Sequence, residues 1–219
     1  MDDLSRFLVR MLGDSPAARA AEQEARGGAA GERTVMLQAA VAAVRQGSEP
    51  ADEPTPTAPA ATDADADDRP RDPARLSESV ASELAAATSR LPLPEREVLA
   101  LRELLGLRHD EIADVAGVKR EAVAPLLARA RLDLRTELRG SGAPQPPCDE
   151  RERALRTITL RQDSETVPNA DEDWLIEHLG HCRGCRQAHA AMLEASACYR
   201  AWASPEIPAD PVAEADAAS

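Results

Sequence analysis

The chain has 219 residues, a formal net charge of −13 and only 2% aromatics. One Phe, one Tyr and two Trp cannot fill a core, so Leu, Val, Ile and Ala must do so, in small Ala- and Leu-rich helical bundles. No run approaches the ~18 apolar residues of a membrane span and the N-terminus carries no signal-peptide pattern, so the expected location is the cytoplasm, where four cysteines are thiols or metal ligands rather than disulfides.

The charge is unevenly spread. Residues 47–74 hold eight acids against two arginines, and 203–219 hold four acids and no base, whereas 75–140 balances at eleven of each sign. The central region is therefore neutral, without the strongly basic footprint of a dedicated DNA binder. Its second half, from Lys119 to Arg139, tilts basic enough to permit phosphate contact.

In chain order, residues 1–46 read as a short helical segment. Leu4, Phe7, Leu8, Met11 and Leu12 share a helical face, Ser15-Pro16 can cap and open a second helix to about Arg26, and Leu37, Val41 and Val44 line a third. Residues 47–74, Pro-rich and acidic without large apolar side chains, read as a disordered linker. Helical pattern resumes at Leu76, capped by Ser77 or Ser79, with Val80, Leu84 and Ala87 or Thr88 on one face. Pro92 and Pro94 then end that helix near Arg90 and start the next. Val98, Leu101, Leu104 and Leu105 make the buried stripe of that next helix. After Gly106 a third helix buries Ile112 and Val115, and Gly117 turns the chain into a fourth that buries Val123, Leu127, Ala130 and Leu134. Two short helices meeting across a glycine turn, followed by a longer one, are the layout of a helix-turn-helix over 75–140.

Residues 141–147 form a short Pro-rich linker. A second module, 148–203, follows, and the acidic stretch 204–219 reads as a disordered tail. In the module, His178 and Cys182 stand four apart, on one helix face, and Cys182 and Cys185 flank Gly184 so that both thiolates converge. Cys185 then opens a helix whose N-terminus favours thiolate charge. Cys148, on a separate helix, completes a tetrahedral Cys₃His set. With four protein ligands the expected Zn²⁺ is structural, and oxidation of its thiolates can release it. The alternatives are His181 as a competing ligand, a reduced metal-free CxxC, and a redox enzyme, which the lack of any βαβ pattern opposes. His109 and His189 read as surface side chains. Cys198, about 20 Å along the last helix from Cys185, reads as packing with Tyr199 and Trp202.

The segment LPLPEREVLALRELLGLRHDEIADVAGV resembles region 4 of bacterial sigma factors, in particular the extracytoplasmic-function type, over residues 76–140. In those proteins "LP-x-x-R-E-V-L-x-L-R" leads into "G-L-x-x-x-E-I-A-x-x-x-G-V" and then a recognition helix. The resemblance implies a tetrahelical module that reads a −35 promoter element and touches the flap of RNA polymerase. Two departures stand out. The part of a sigma factor that binds core polymerase and reads the −10 element is missing from residues 1–46. Where the family carries "T-V-K-S-R-L", this chain has Ala122-Val123-Ala124-Pro125-Leu126-Leu127. Alanine cannot hydrogen-bond base edges, which leaves Lys119, Arg120 and Glu121 at the helix tip, with Arg129 and Arg131 as phosphate contacts. Residues 148–203 resemble the zinc-binding anti-sigma module, with its distant first ligand and H-x-x-x-C-x-x-C core. They depart from it where the family's "L-D-G-E-L" is replaced by Arg161-Gln162-Asp163-Ser164-Glu165.

The expectation is an all-α, non-enzymatic regulator of transcription initiation: a sigma region-4-like helix-turn-helix fused to a small helical zinc-binding module. That module binds a sigma factor or masks the chain's own helix-turn-helix. The expected partners are a sigma factor or RNA polymerase, with promoter DNA as a further ligand and neither a membrane nor a small-molecule substrate. The alternative is a sigma-like DNA-binding factor in which zinc is purely structural. No nucleophile–base pair and no phosphate loop support an enzyme.

Overall fold

Two glycines set the central turns. Gly106 and Gly117 adopt φ of 67° and 65°, the left-handed region that side chains with a Cβ rarely enter. At Gly117 the Val118 N–H reaches back to the Ala113 carbonyl at 3.0 Å, closing the helix before it in a Schellman turn. A computed structural model describes residues 3–12, 16–28, 33–47, 73–139 and 148–203. Among these residues the chain is all-helical. The Ser15 cap, most of the acidic linker, the Pro-rich linker and the tail lie outside them.

The helices are α1 (Asp3–Leu12), α2 (Pro16–Gly28), α3 (Arg33–Gly47), α4 (Pro73–Ser89), α5 (Leu93–Glu103), α6 (His109–Ala116), α7 (Arg120–Arg139), α8 (Arg151–Gln162), α9 (Asn169–His181) and α10 (Arg183–Ala203). α4 opens on Pro73, a residue whose fixed φ suits the first helical position, so Ser77 and Ser79 lie inside the helix rather than capping it. Val80, expected on the buried face, is 55% exposed, while Leu84, Ala87 and Thr88 are buried as expected. Leu105 is only half-buried, and Leu99, left out of the expected stripe, is fully buried. Pro125 lies inside α7 without ending it. It removes one helical N–H near the start of the helix, where Glu121 is exposed and its carbonyl can be solvated instead.

One largely aliphatic core runs through α1–α7, with Phe7, Leu8, Leu37, Val41, Leu99, Leu101, Ile112, Leu127 and Leu134 among its members, and takes in Ala195 and Tyr199 of α10. The N-terminal helices therefore pack on the helix-turn-helix itself. Arg45 of α3 ties them down: its guanidinium bonds the Glu97 carboxylate at 2.6 Å and the Ala116 carbonyl at 2.9 Å. That carbonyl lies in the last turn of α6, where the helix dipole favours a cation. Gln38 likewise donates to the Asp114 carbonyl at 3.0 Å. A second, smaller apolar cluster, Ala128, Ala154, Ile158, Leu175, Cys185 and Met192, joins α7 to α8, α9 and α10.

Candidate metal centre and the covered reading helix

The helix turns bring four ligand atoms to one point. Cys148 precedes α8, His178 sits in the last turn of α9, Cys182 follows that helix, and Cys185 lies in the first turn of α10. Their ligand atoms all lie within 4.8 Å of one another. Cys148 Sγ is 3.6 Å from His178 Nε2 and 3.9 Å from Cys185 Sγ. Tetrahedral coordination with metal–sulfur bonds of about 2.3 Å and metal–nitrogen bonds of about 2.05 Å requires about 3.6 Å for S···N and about 3.8 Å for S···S. These two separations match a tetrahedral site, and the four donors could hold a metal ion.

The local structure differs in one respect from the shared helix face read in the sequence. Cys182 is extended, at φ −88° and ψ 99°, as the cap of α9, so it swings onto the cluster from the turn. His181 is exposed and outside the ligand group; its ring meets the edge of His178 at 5.5 Å. Trp174 stacks on the His178 ring at 4.8 Å between centroids, and Arg153 covers the Trp at 4.1 Å, so packing orients the imidazole. Hydrogen bonds from the Cys185 and Gly184 backbone lower the Cys182 pKa. Burial, and then the neighbouring Cys182 and Cys148 thiols, push Cys185 up to about 12. Three thiols this close cannot all ionise by themselves, and a bound cation removes that conflict.

Between this module and the helix-turn-helix lies a buried charge network that the sequence did not disclose. Arg131, expected to contact phosphate, is 0% exposed; its guanidinium bonds Glu103 at 2.7 Å and Asp163 at 2.6 Å. That expectation is corrected, because α7 turns this residue inward against α5 and the end of α8. Asp163 also receives Arg102 at 3.2 Å and the His109 ring at 2.8 Å. His109, expected at the surface, is 1% exposed, and His189 is half-buried. Glu103 further accepts from Ser196 at 2.7 Å and Arg200 at 2.6 Å, both on α10. Burial raises the Asp163 pKa, but the His109 hydrogen bond and the charges of Arg131 and Arg102 outweigh it and hold the carboxyl at about 2. The Arg161–Glu165 stretch thus supplies the joint: Ser164 takes a φ of 57°, and Asp163 and Glu165 on either side are buried. The only signal in the sequence was two acids flanking one small residue.

α8 lies along α7. Ala124, at a position where the resembling family carries a lysine, and Ala128, one turn on, are 4% and 2% exposed. Ala128 packs with Ala154 and Ile158 of α8; a larger side chain there would hold the two helices apart. A groove of about 570 Å³ remains beside them, lined by Pro125, Arg129, Leu132, Cys148 and Leu155 among others. Of the other expected DNA contacts, Lys119, Arg120, Glu121 and Arg129 are exposed.

The family model described as Sigma-70, region 4 matches residues 81–134, about a quarter of the chain, from the middle of α4 to the last turns of α7. A sigma region 4 domain is thus present, and it points to transcription regulation. The match stops before the Cys/His cluster. No curated protein and no solved structure matches the chain.

Proposed function

We propose that this chain regulates transcription initiation by closing a sigma region-4 helix-turn-helix with its own zinc-binding, anti-sigma-like module. One observation carries the reading: α8 packs on α7 at Ala128, which is 2% exposed and clusters with Ala154 and Ile158, on the helix that would enter the DNA groove. Zinc at Cys148, His178, Cys182 and Cys185 holds α8, α9 and α10 together, and the Asp163 joint fastens them to α5, α6 and α7. Loss of zinc, by chelation or by oxidation of its thiolates, then frees the reading helix. The setting is the cytoplasm, the protein partner is a sigma factor or RNA polymerase, and promoter DNA is the ligand excluded in the closed state. The role involves no catalysis.

A second reading, a sigma-like DNA-binding factor with purely structural zinc, is favoured by the exposed Lys119, Arg120 and Glu121 at the α7 tip. One experiment separates the two. Full-length zinc-loaded protein is titrated with a randomised duplex pool and with RNA polymerase, before and after chelation. Masking requires weak binding that strengthens on zinc loss. Tight, sequence-selective binding that needs zinc supports the second reading and rejects the first.

A further inference from the structure

Glu165 follows α8, and its carboxylate leaves the metal module to rest on the start of α6. Oε1 accepts the backbone N–H of His109 at 3.0 Å. Oε2 lies 3.5 Å from the Arg120 guanidinium and 3.8 Å from that of Arg108. The side chain is 2% exposed, yet Oε2 finds no hydrogen-bond partner among the described residues. A buried carboxylate oxygen without a hydrogen bond is costly, so the carboxylate under-fills the place it occupies.

The three groups around it all belong to the helix-turn-helix. They are the first N–H of α6, an arginine from the turn before α6, and an arginine from the first position of α7. Helix N-termini and arginines are the groups that hold phosphate oxygens, and contacts of this kind fix the register of a helix-turn-helix on a duplex before any base is read. The nearby acids are already engaged: Asp110 pairs with Arg108 at 3.6 Å, and Glu111 accepts the Arg108 N–H at 2.8 Å. Both arginine side chains are more than half exposed, 64% for Arg108 and 58% for Arg120, so they can turn toward a larger anion. Lys119, next to Arg120 in the chain, is exposed as well.

We propose that the start of α6, with Arg108 and Arg120, is a seat for a DNA backbone phosphate, and that Glu165 closes it as a carboxylate surrogate. This rests on the masking reading above and deepens it: besides packing on α7, the module competes for the donors that would dock the duplex.

The test uses the full-length, zinc-loaded chain and a random-sequence duplex, with binding followed by anisotropy over a range of salt concentrations. Glu165→Gln keeps an acceptor for the His109 N–H and removes the charge. It is expected to bind the duplex roughly tenfold more tightly than the native chain, with a log K against log[salt] slope steeper by about 1–2, as for one or two added phosphate contacts. Adding Arg120→Ala should remove most of that gain, while zinc content and helicity stay unchanged. Glu165→Asp, which withdraws the charge by one methylene, should give a smaller gain of the same sign and serves if glutamine compromises the fold. Equal duplex affinity for Glu165→Gln and the native chain overturns the seat. If chelation strengthens duplex binding and Glu165→Gln does not, the mask stands and the seat falls; if neither does, both fall. A gain confined to inorganic phosphate, absent for the duplex, makes this a free-phosphate site and overturns the DNA assignment.

Discussion

The helix-turn-helix and the metal module hold their helices together by opposite means. The first, with α1–α3 added, buries a long series of aliphatic side chains, its turns made by two exposed glycines of positive φ. The second has six buried residues in its apolar cluster, one of them contributed by α7 and one a cysteine of the ligand set. A core that small does not offset the entropy of ordering three helices. The module is therefore expected to depend on a bound metal and on its neighbour more than the helix-turn-helix depends on the module. The module can accordingly serve as the removable part.

The largest effect should come from breaking that dependence. Chelation, or Cys185→Ser, removes binding free energy on the order of 10 kcal/mol, as in other small zinc-folded units. The helicity of α8 and α9 should vanish while that of α5–α7 persists; circular dichroism and hydrogen exchange on the same sample read the two separately. Simultaneous loss of both would show that the modules are not independent in this sense.

Next comes the joint. Arg131→Ala strands Glu103 and Asp163 without their shared cation, and breaking a buried pair in this way costs about 3–5 kcal/mol. Urea unfolding should show the midpoint falling for the whole molecule. Arg131→Ala with near-native stability would mean that the network contributes specificity alone.

Acid should loosen the same joint more gently. The Asp163 pKa is depressed from 3.8 to about 2, so its contribution is present above about pH 4 and is lost as pH falls through about 2. The difference corresponds to roughly 2 kcal/mol. Asp163→Asn should abolish that part of the acid transition, as followed by the Tm between pH 5 and pH 2.

The smallest effect has the opposite sign and lies within the helix-turn-helix. Burial, and then the Asp133 charge, raise the Glu95 pKa from 4.5 to about 7. Stability from this group is complete below about pH 4.5 and is lost as pH rises through 7. Glu95→Gln should therefore stabilise the protein at pH 8 by on the order of 1 kcal/mol, after allowance for solvent screening. The gain should disappear at pH 4, and a gain equal at both pH values would rule out titration as its cause.

Much of this molecule is local in origin. The helix-turn-helix follows from apolar periodicity with Gly106 and Gly117 at the turns, and the Cys₃His group follows from CxxC spacing with His178 four residues upstream. In both cases the rule connects residues a few positions apart, or joins one distant cysteine to a motif already complete in itself. The placement of charges was not legible in this way. Arg131 and Arg129 are two residues apart on one helix with the same chemistry, yet one is buried and the other exposed. His109 opens a helix in a polar stretch and is nonetheless enclosed, because Asp163, far along the chain, packs against it.

The sequence by itself determined the all-helical class, the turn positions, the four clustered donors and the likeness of the central segment to sigma region 4. Only the tertiary structure decided that α8 packs on the Ala128 side of α7 and that α1–α3 share the helix-turn-helix core. It also decided that Asp163 and Glu165 join the two modules. The physical reason is that helix formation and close ligand spacing depend on neighbours in the chain. Which face of a helix is covered, and which charge is buried, depends on surfaces brought together from distant segments, where no local period records the pairing.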